Sequence, residues 1–171
     1  KLFDKLPFQT VNYINGNAAN LETECQRYAA LLKLYPADIV CMGIGENTHL
    51  AFNDPHVADF DDPHAVKVVD LDEACRAQQV NDGCFNNLAE VPTHALTLTI
   101  PALLSAKNIY CIVPGIKKAE AVDLTISSMI NENHPSTILR KHENAILFLD
   151  NDSSQNLTKT GRQLINVGEH D

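Results

Sequence analysis

Residues 38–55 read DIVCMGIGENTHLAFNDP, and the first half of that run is apolar, with Ile39, Val40, Met42 and Ile44. A continuous apolar run bounded by turn residues is the pattern of a strand buried on both faces of a parallel sheet. Two glycines then stop it. Gly43 and Gly45 carry no Cβ, so the chain can turn sharply at the strand's carboxyl end and let a ligand come close to the backbone. The residues that follow include Glu46, Asn47, Thr48, His49, Asn53 and Asp54, which crowd polar groups into one loop. Open α/β sheets bind ligands at the carboxyl ends of their strands, so an imidazole with oxygen-bearing neighbours here reads as a site. A solvated loop histidine is the competing reading, and spacing alone does not separate the two.

The remaining chain supplies the elements that such a sheet needs. Residues 10–14 (TVNYI) read as a short strand ended by Asn15-Gly16-Asn17. Leu21, Cys25, Tyr28, Ala29 and Leu32 then recur at helical spacing, with Asn20 suited to the N-cap and Pro36 ending the helix. Strand, helix and buried strand in succession predict a βαβ unit with a right-handed crossover. Residues 56–64 carry Asp59, Asp61 and Asp62 and read as an exposed loop or lid. Further strands are expected over 65–71, 94–100, 108–113 and 145–149, with a weaker hint over 164–167. Helices are expected over 72–80, capped by Asp72, over 101–106, and after Pro114-Gly115, where Ala119, Val122, Ile126 and Met129 repeat at helical spacing. Together these predict an α/β fold: a doubly wound, mostly parallel sheet with helices on both faces, Rossmann-like, in a single domain over 1–171.

Charge and composition narrow the function classes. A formal net charge of −9 argues against non-specific binding to nucleic acid or an anionic membrane surface. It does not exclude an anionic small substrate, which a few local donors can hold. No apolar run reaches the about eighteen residues of a membrane span. The five cysteines, Cys25, Cys41, Cys75, Cys84 and Cys111, are odd in number and widely spaced, and they read as reduced core residues of a cytoplasmic protein. Gly115 to Lys118 forms a strand-glycine-helix junction with two lysines, a candidate anion site because a helix amino terminus is already positive. Two solvated lysines are the plain alternative. His49, Asp54, His56, Asp59, Asp61, Asp62 and His64 offer enough donors for a divalent metal, but without a recognised ligand spacing, so no metal site is assigned.

The segment GIGENTHLAFNDP resembles the Gly-x-Gly-x-Asp-Gly-His-x-Ala-Phe-Asn-Glu-Pro signature of the glucosamine-6-phosphate deaminases (isomerases). It resembles more distantly the 6-phosphogluconolactonases that share their fold. NYINGNAANLETECQRY before it, and VPTHALTLTIPALLSA and VPGIKKAEAV after it, are similar to family segments in the same order. In that family substantial sequence, including the first strands of the sheet, precedes the point equivalent to Lys1. The resemblance therefore implies that this chain is the carboxyl-terminal two-thirds of a longer protein and is inactive alone.

What the resemblance implies for the site follows residue by residue. The matching His opens the sugar ring, aided by an Asp two positions before it and a Glu five positions after. Here His49 keeps the imidazole, Asp54 keeps a carboxylate on a shorter arm, and Asn47 keeps a hydrogen-bond acceptor without the charge. Thr48 stands where the signature has Gly. Gly43 and Gly45 would line the substrate, and Lys118 matches the family's phosphate-contacting Lys. The family's phosphate-binding Arg falls by register on Gln79, or with one residue of slip on Gln78, so Arg76 is the nearby candidate replacement. The base that moves a proton from C2 to C1 lies upstream of the matched region.

The expected function is therefore conversion of glucosamine 6-phosphate, or its galacto analogue, to the ketose phosphate and ammonia. The partner is a phosphorylated amino sugar, and the family chemistry implies no metal or organic cofactor. A phosphosugar lactonase and a non-catalytic sugar-phosphate sensor are the two alternatives, the second suggested by Asn47 and Gln79. The oligomeric state is left open, a homo-oligomer included.

Overall fold

The computed structural model describes residue 5 and residues 7–157. The elements run α1 (Leu21–Leu34), β1 (Ile39–Met42), β2 (Val66–Asp70), α2 (Glu73–Asn81), β3 (His94–Leu98), α3 (Ile100–Leu104), β4 (Asn108–Val113), α4 (Ala119–Ser127) and β5 (Ala145–Leu149). Helices interleaved with a mostly parallel sheet give the α/β class expected from the sequence. The hint of a strand over 164–167 lies outside the described residues.

Local signals set the helix starts. The Asn20 side chain accepts the Thr23 amide at 2.9 Å, Asp72 accepts the Cys75 amide at 2.7 Å, and Thr99 accepts the Ala102 amide at 3.3 Å. Each satisfies an amide that has no partner inside its helix. Capped by Thr99, α3 starts at Ile100, one residue ahead of Pro101, which fits the first turn because its missing N–H is not needed there.

β1, β4 and β5 form a parallel sheet in the order β1-β4-β5. β2 and β3 form a separate antiparallel pair. Register assigns the sheet's two faces. Val40, Ile109 and Ala145 lie side by side, as do Met42, Cys111 and Leu147, and Val113 and Leu149. This face packs into the main core with Ile44, Leu50, Ile100, Leu103, Ala121, Val122, Ile138 and Leu139. The alternate positions face the other way. Ile39 is 55% exposed and Ile112, Ile146 and Phe148 are about half exposed.

Two expectations are corrected here. β1 is not buried on both faces, since Ile39 and Cys41 are exposed and Val40 and Met42 only half-buried. An all-apolar strand reads as doubly covered, but among the described residues the closely packed core lies on one side. The strand expected over 10–14 does not form, and with it goes the βαβ unit. Its backbone is satisfied differently: the Tyr28 hydroxyl donates to the Asn12 carbonyl at 3.3 Å and the Arg27 guanidinium to the Tyr13 carbonyl at 2.8 Å. β-Branched composition favours a strand only where a neighbouring strand completes the ladder.

The acidic loop over 56–64 is anchored to its surroundings. Lys67 Nζ donates to the Val57 carbonyl at 2.7 Å and pairs with Asp62 at 2.8 Å, while Asp59 and Asp62 accept the Asp61 and His64 amides. Asp59 and Asp62 are thus engaged with backbone amides and Lys67. Among the described residues no group of three or more His, Cys, Asp and Glu side chains could hold a metal ion. Nor does any described helix have the length and apolarity to cross a membrane.

Candidate active site

The turn after β1 is built around His49. The Gly45 amide donates to the His49 carbonyl at 2.9 Å and the Thr48 amide to the Gly45 carbonyl at 3.0 Å, so the loop closes on itself. The imidazole folds back over Gly45. A Cβ at Gly45 would overlap ring atoms Cε1, Nδ1 and Nε2 of His49, which makes glycine a steric requirement at this position. Gly43 is less demanding, because a Cβ there would meet the Ile112 carbonyl at an ordinary 3.4 Å.

Hydrogen bonds select the tautomer of the neutral ring. The Asn47 side-chain oxygen accepts the His49 backbone amide at 3.1 Å and lies 2.7 Å from Nδ1, while its Nδ2 donates to Asp54 Oδ1 at 2.7 Å. Flipping the Asn47 amide would set NH₂ against N–H on one side and remove the donor on the other, so its orientation is determined. Nδ1 also lies 3.0 Å from Asp54 Oδ1. Facing two acceptors, Nδ1 carries the proton, and in the neutral ring Nε2 holds the lone pair.

Asp54 is fully buried. Burial by itself would raise its pKa, but hydrogen bonds from His49 and Asn47 outweigh that and hold the carboxyl below the ordinary value. The Cys75 thiol, buried on α2, abuts it. Burial first, and then the Asp54 charge, push that thiol up to about 12, so it stays S–H beside the carboxylate. Asp54 Oδ2 is buried without a hydrogen-bond partner among the described residues. Because the folded pKa of Asp54 is depressed, its stabilisation is complete above the unfolded carboxylate value of about 4 and is lost as the pH falls through the lower folded value. Asp54→Asn is expected to flatten the loss of stability below about pH 4, read as urea midpoints against pH. An unchanged acid limb would show that the carboxylate is not ionised in this network.

Thr48 adopts φ 72° with its side chain fully buried and its hydroxyl unpartnered. A β-branched residue in this region is strained. The Ser136 amide donates to the Thr48 carbonyl at 2.9 Å, which helps to hold it there. Thr48→Gly is expected to raise stability by about 1 kcal/mol in urea denaturation, relief of strain outweighing the extra unfolded-state entropy. A loss would show that the Thr48 methyl packs better than its backbone suffers.

A cleft of about 330 Å³ opens beside the ring, lined by Gly43, Gly45, His49, Gln78, Pro114 and Lys118 among others. The sequence-derived residues divide clearly. His49, Asn47 and Asp54 form one network, and His49, Gly43, Gly45 and Lys118 share the cleft. Of the glutamines, Gln78 lines it. Gln79 lies against Cys75, and its amide nitrogen is buried without a partner. Arg76 donates to the Leu88 and Val91 carbonyls at 2.7 and 3.0 Å, tying α2 to the following loop. Lys117 is exposed and Lys118 half-buried. The first amide of the lysine junction is not available to a ligand, because Asp150 accepts Gly115 N–H with both oxygens. Sequence reasoning missed Asp150 and Cys75. Asp150 opens a polar stretch that carries no motif, and Cys75 read as plain core.

A model of the glucosamine-6-phosphate isomerases/6-phosphogluconolactonases matches residues 1–148. The chain is 36% identical over 173 aligned positions to glucosamine-6-phosphate deaminases of Bacillus cereus (strain B4264) and Bacillus anthracis (strain CDC 684 / NRRL 3495), covering 99% of this chain and 64% of each relative. Among solved structures, a monomeric glucosamine-6-phosphate deaminase superposes with a TM-score of 0.77 at 36% identity, over 84% of this chain and 58% of that one. The 6-phosphogluconolactonase of Thermotoga maritima shares the fold, with a TM-score of 0.62 at 18% identity over 85% of this chain and 58% of that one. The chain belongs to the glucosamine-6-phosphate isomerase/6-phosphogluconolactonase family. It spans somewhat less than two-thirds of the length of the curated relatives it matches.

Proposed function

We propose that the protein is an amino-sugar-phosphate deaminase of this family, converting glucosamine 6-phosphate, or the galactosamine analogue, to the ketose phosphate and ammonia. The observation that carries this reading is the imidazole of His49, tied at Nδ1 to Asn47 and Asp54 and set in the same cleft as Lys118. Nε2 is then the nitrogen left for a ligand. It takes the proton of the anomeric hydroxyl as the ring C–O bond breaks and returns a proton to the ring oxygen, giving the open-chain aldose. The transient imidazolium is stabilised by the Asp54 carboxylate, with Asn47 contributing a dipole in place of a second charge. Lys118 and Gln78, which line the same cleft, hold the phosphate end.

The later steps move the C2 proton to C1 and replace the amine by water. The resemblance places their base upstream of the matched residues, so a test uses the complete protein. Ammonia release from glucosamine 6-phosphate or galactosamine 6-phosphate supports the reading. Acid release from 6-phosphogluconolactone without ammonia would favour a hydrolase, and tight binding of the amino sugar without product would favour a sensor. All five cysteines are free thiols, which together with the acidic charge supports a cytoplasmic setting.

A further inference from the structure

We propose that Asp150 is a positioning residue for the anion end of the cleft: its carboxylate clamps the Gly115 amide and so sets Lys118 on the wall that His49 also lines. This rests on the functional reading above. Gly115 has φ 94° and ψ 153°, a region essentially closed to residues with a Cβ. Glycine reaches it freely but does not stay there without help, since it has the largest choice of other conformations. Both Asp150 oxygens accept the Gly115 N–H, at 3.1 and 2.9 Å, in a solvent-exposed contact to a charged acceptor.

Asp150 is itself held. It follows β5 directly, its Oδ1 accepts the Ser153 amide at 2.8 Å, and its own amide donates to Ser153 Oγ at 3.1 Å. Ser153 is fully buried. The ends of β4 and β5 are already neighbours through Val113 and Leu149, so the clamp joins two turns leaving adjacent strands. From Gly115 the effect reaches Lys118 through one bond, because the Lys118 amide donates to the Gly115 carbonyl at 3.0 Å. Lys117, one residue earlier, stays exposed while Lys118 turns into the cleft. An aspartate is an unsuitable direct ligand for a phosphate, so its place beside this junction fits support of the loop rather than contact with substrate.

The test compares the complete wild-type protein with Asp150→Ala, Asp150→Asn, Lys118→Met and the Asp150→Ala/Lys118→Met double variant, by steady-state ammonia release and by calorimetry with glucosamine 6-phosphate. Asp150→Ala is expected to raise KM about tenfold while kcat stays within about twofold. Asp150→Asn, which keeps an oxygen acceptor without the charge, is expected to raise KM about threefold and carries the test if the alanine variant does not fold. In the Lys118→Met background Asp150→Ala should add little, because it acts through Lys118. Wild-type KM in Asp150→Ala, or effects that add in full with Lys118→Met, would overturn the inference while leaving the functional reading in place. A wild type that neither releases ammonia nor binds the sugar phosphate would overturn both.

Discussion

His49→Ala in the complete protein is expected to lower kcat for ammonia release by about 10²- to 10⁴-fold, the range for loss of a positioned acid–base group. KM should change much less, since Lys118 and Gln78 remain to hold the phosphate end. Asp54 keeps its bond from Asn47 at 2.7 Å, so the buried carboxylate is not stranded when the imidazole goes. The fold should survive with a stability loss of about 1–3 kcal/mol, the cost of one lost bond to a charged group. That separation of rate from binding and stability distinguishes a catalytic imidazole from a packed one. If the variant keeps its rate, His49 is an ordinary loop residue and the site must be sought elsewhere.

Gly45→Ala is expected to cost about 10²-fold in kcat although it removes no reacting group, because the reacting nitrogen is displaced from its working position. The methyl would occupy the space of the imidazole. The backbone cannot give way easily, since Gly45 is bonded through both its amide and its carbonyl within the turn. The ring must therefore swing out and lose its contacts with Asn47 and Asp54 together. Gly43→Ala is the matched control, where the nearest atom sits at ordinary contact distance. Equal effects at the two glycines would argue for lost cleft space or a general loosening of the loop instead of displacement of the imidazole.

Gly45 also shows what the sequence conveyed and what it did not. Two glycines after an apolar strand signalled close approach, and the approach is real, but at Gly45 the visitor is the protein's own imidazole. Sequence spacing cannot reveal that, because the contact depends on how residues 45–49 close into a turn. The local features were legible: Asn20 and Asp72 cap the helices assigned to them, and β4 and β5 fall on the runs that predicted them. Features needing distant partners were not. Residues 10–14 have strand composition but no ladder, and β1 is apolar throughout yet exposes alternate side chains. The position on α2 shows the finest limit. One residue of slip turns a helical side chain by about 100°, so register alone left Gln78 and Gln79 unresolved, whereas the structure puts Gln78 in the cleft.

Nitrogen-15 NMR of histidine-labelled complete protein, with His49 assigned by comparison with His49→Ala, tests the placement of the imidazole most directly. The expected neutral form carries its proton on Nδ1, and adding glucosamine 6-phosphate shifts the Nε2 resonance with little change at Nδ1. A proton on Nε2 in the free protein, or a His49 ring that does not respond to saturating sugar phosphate, would contradict it.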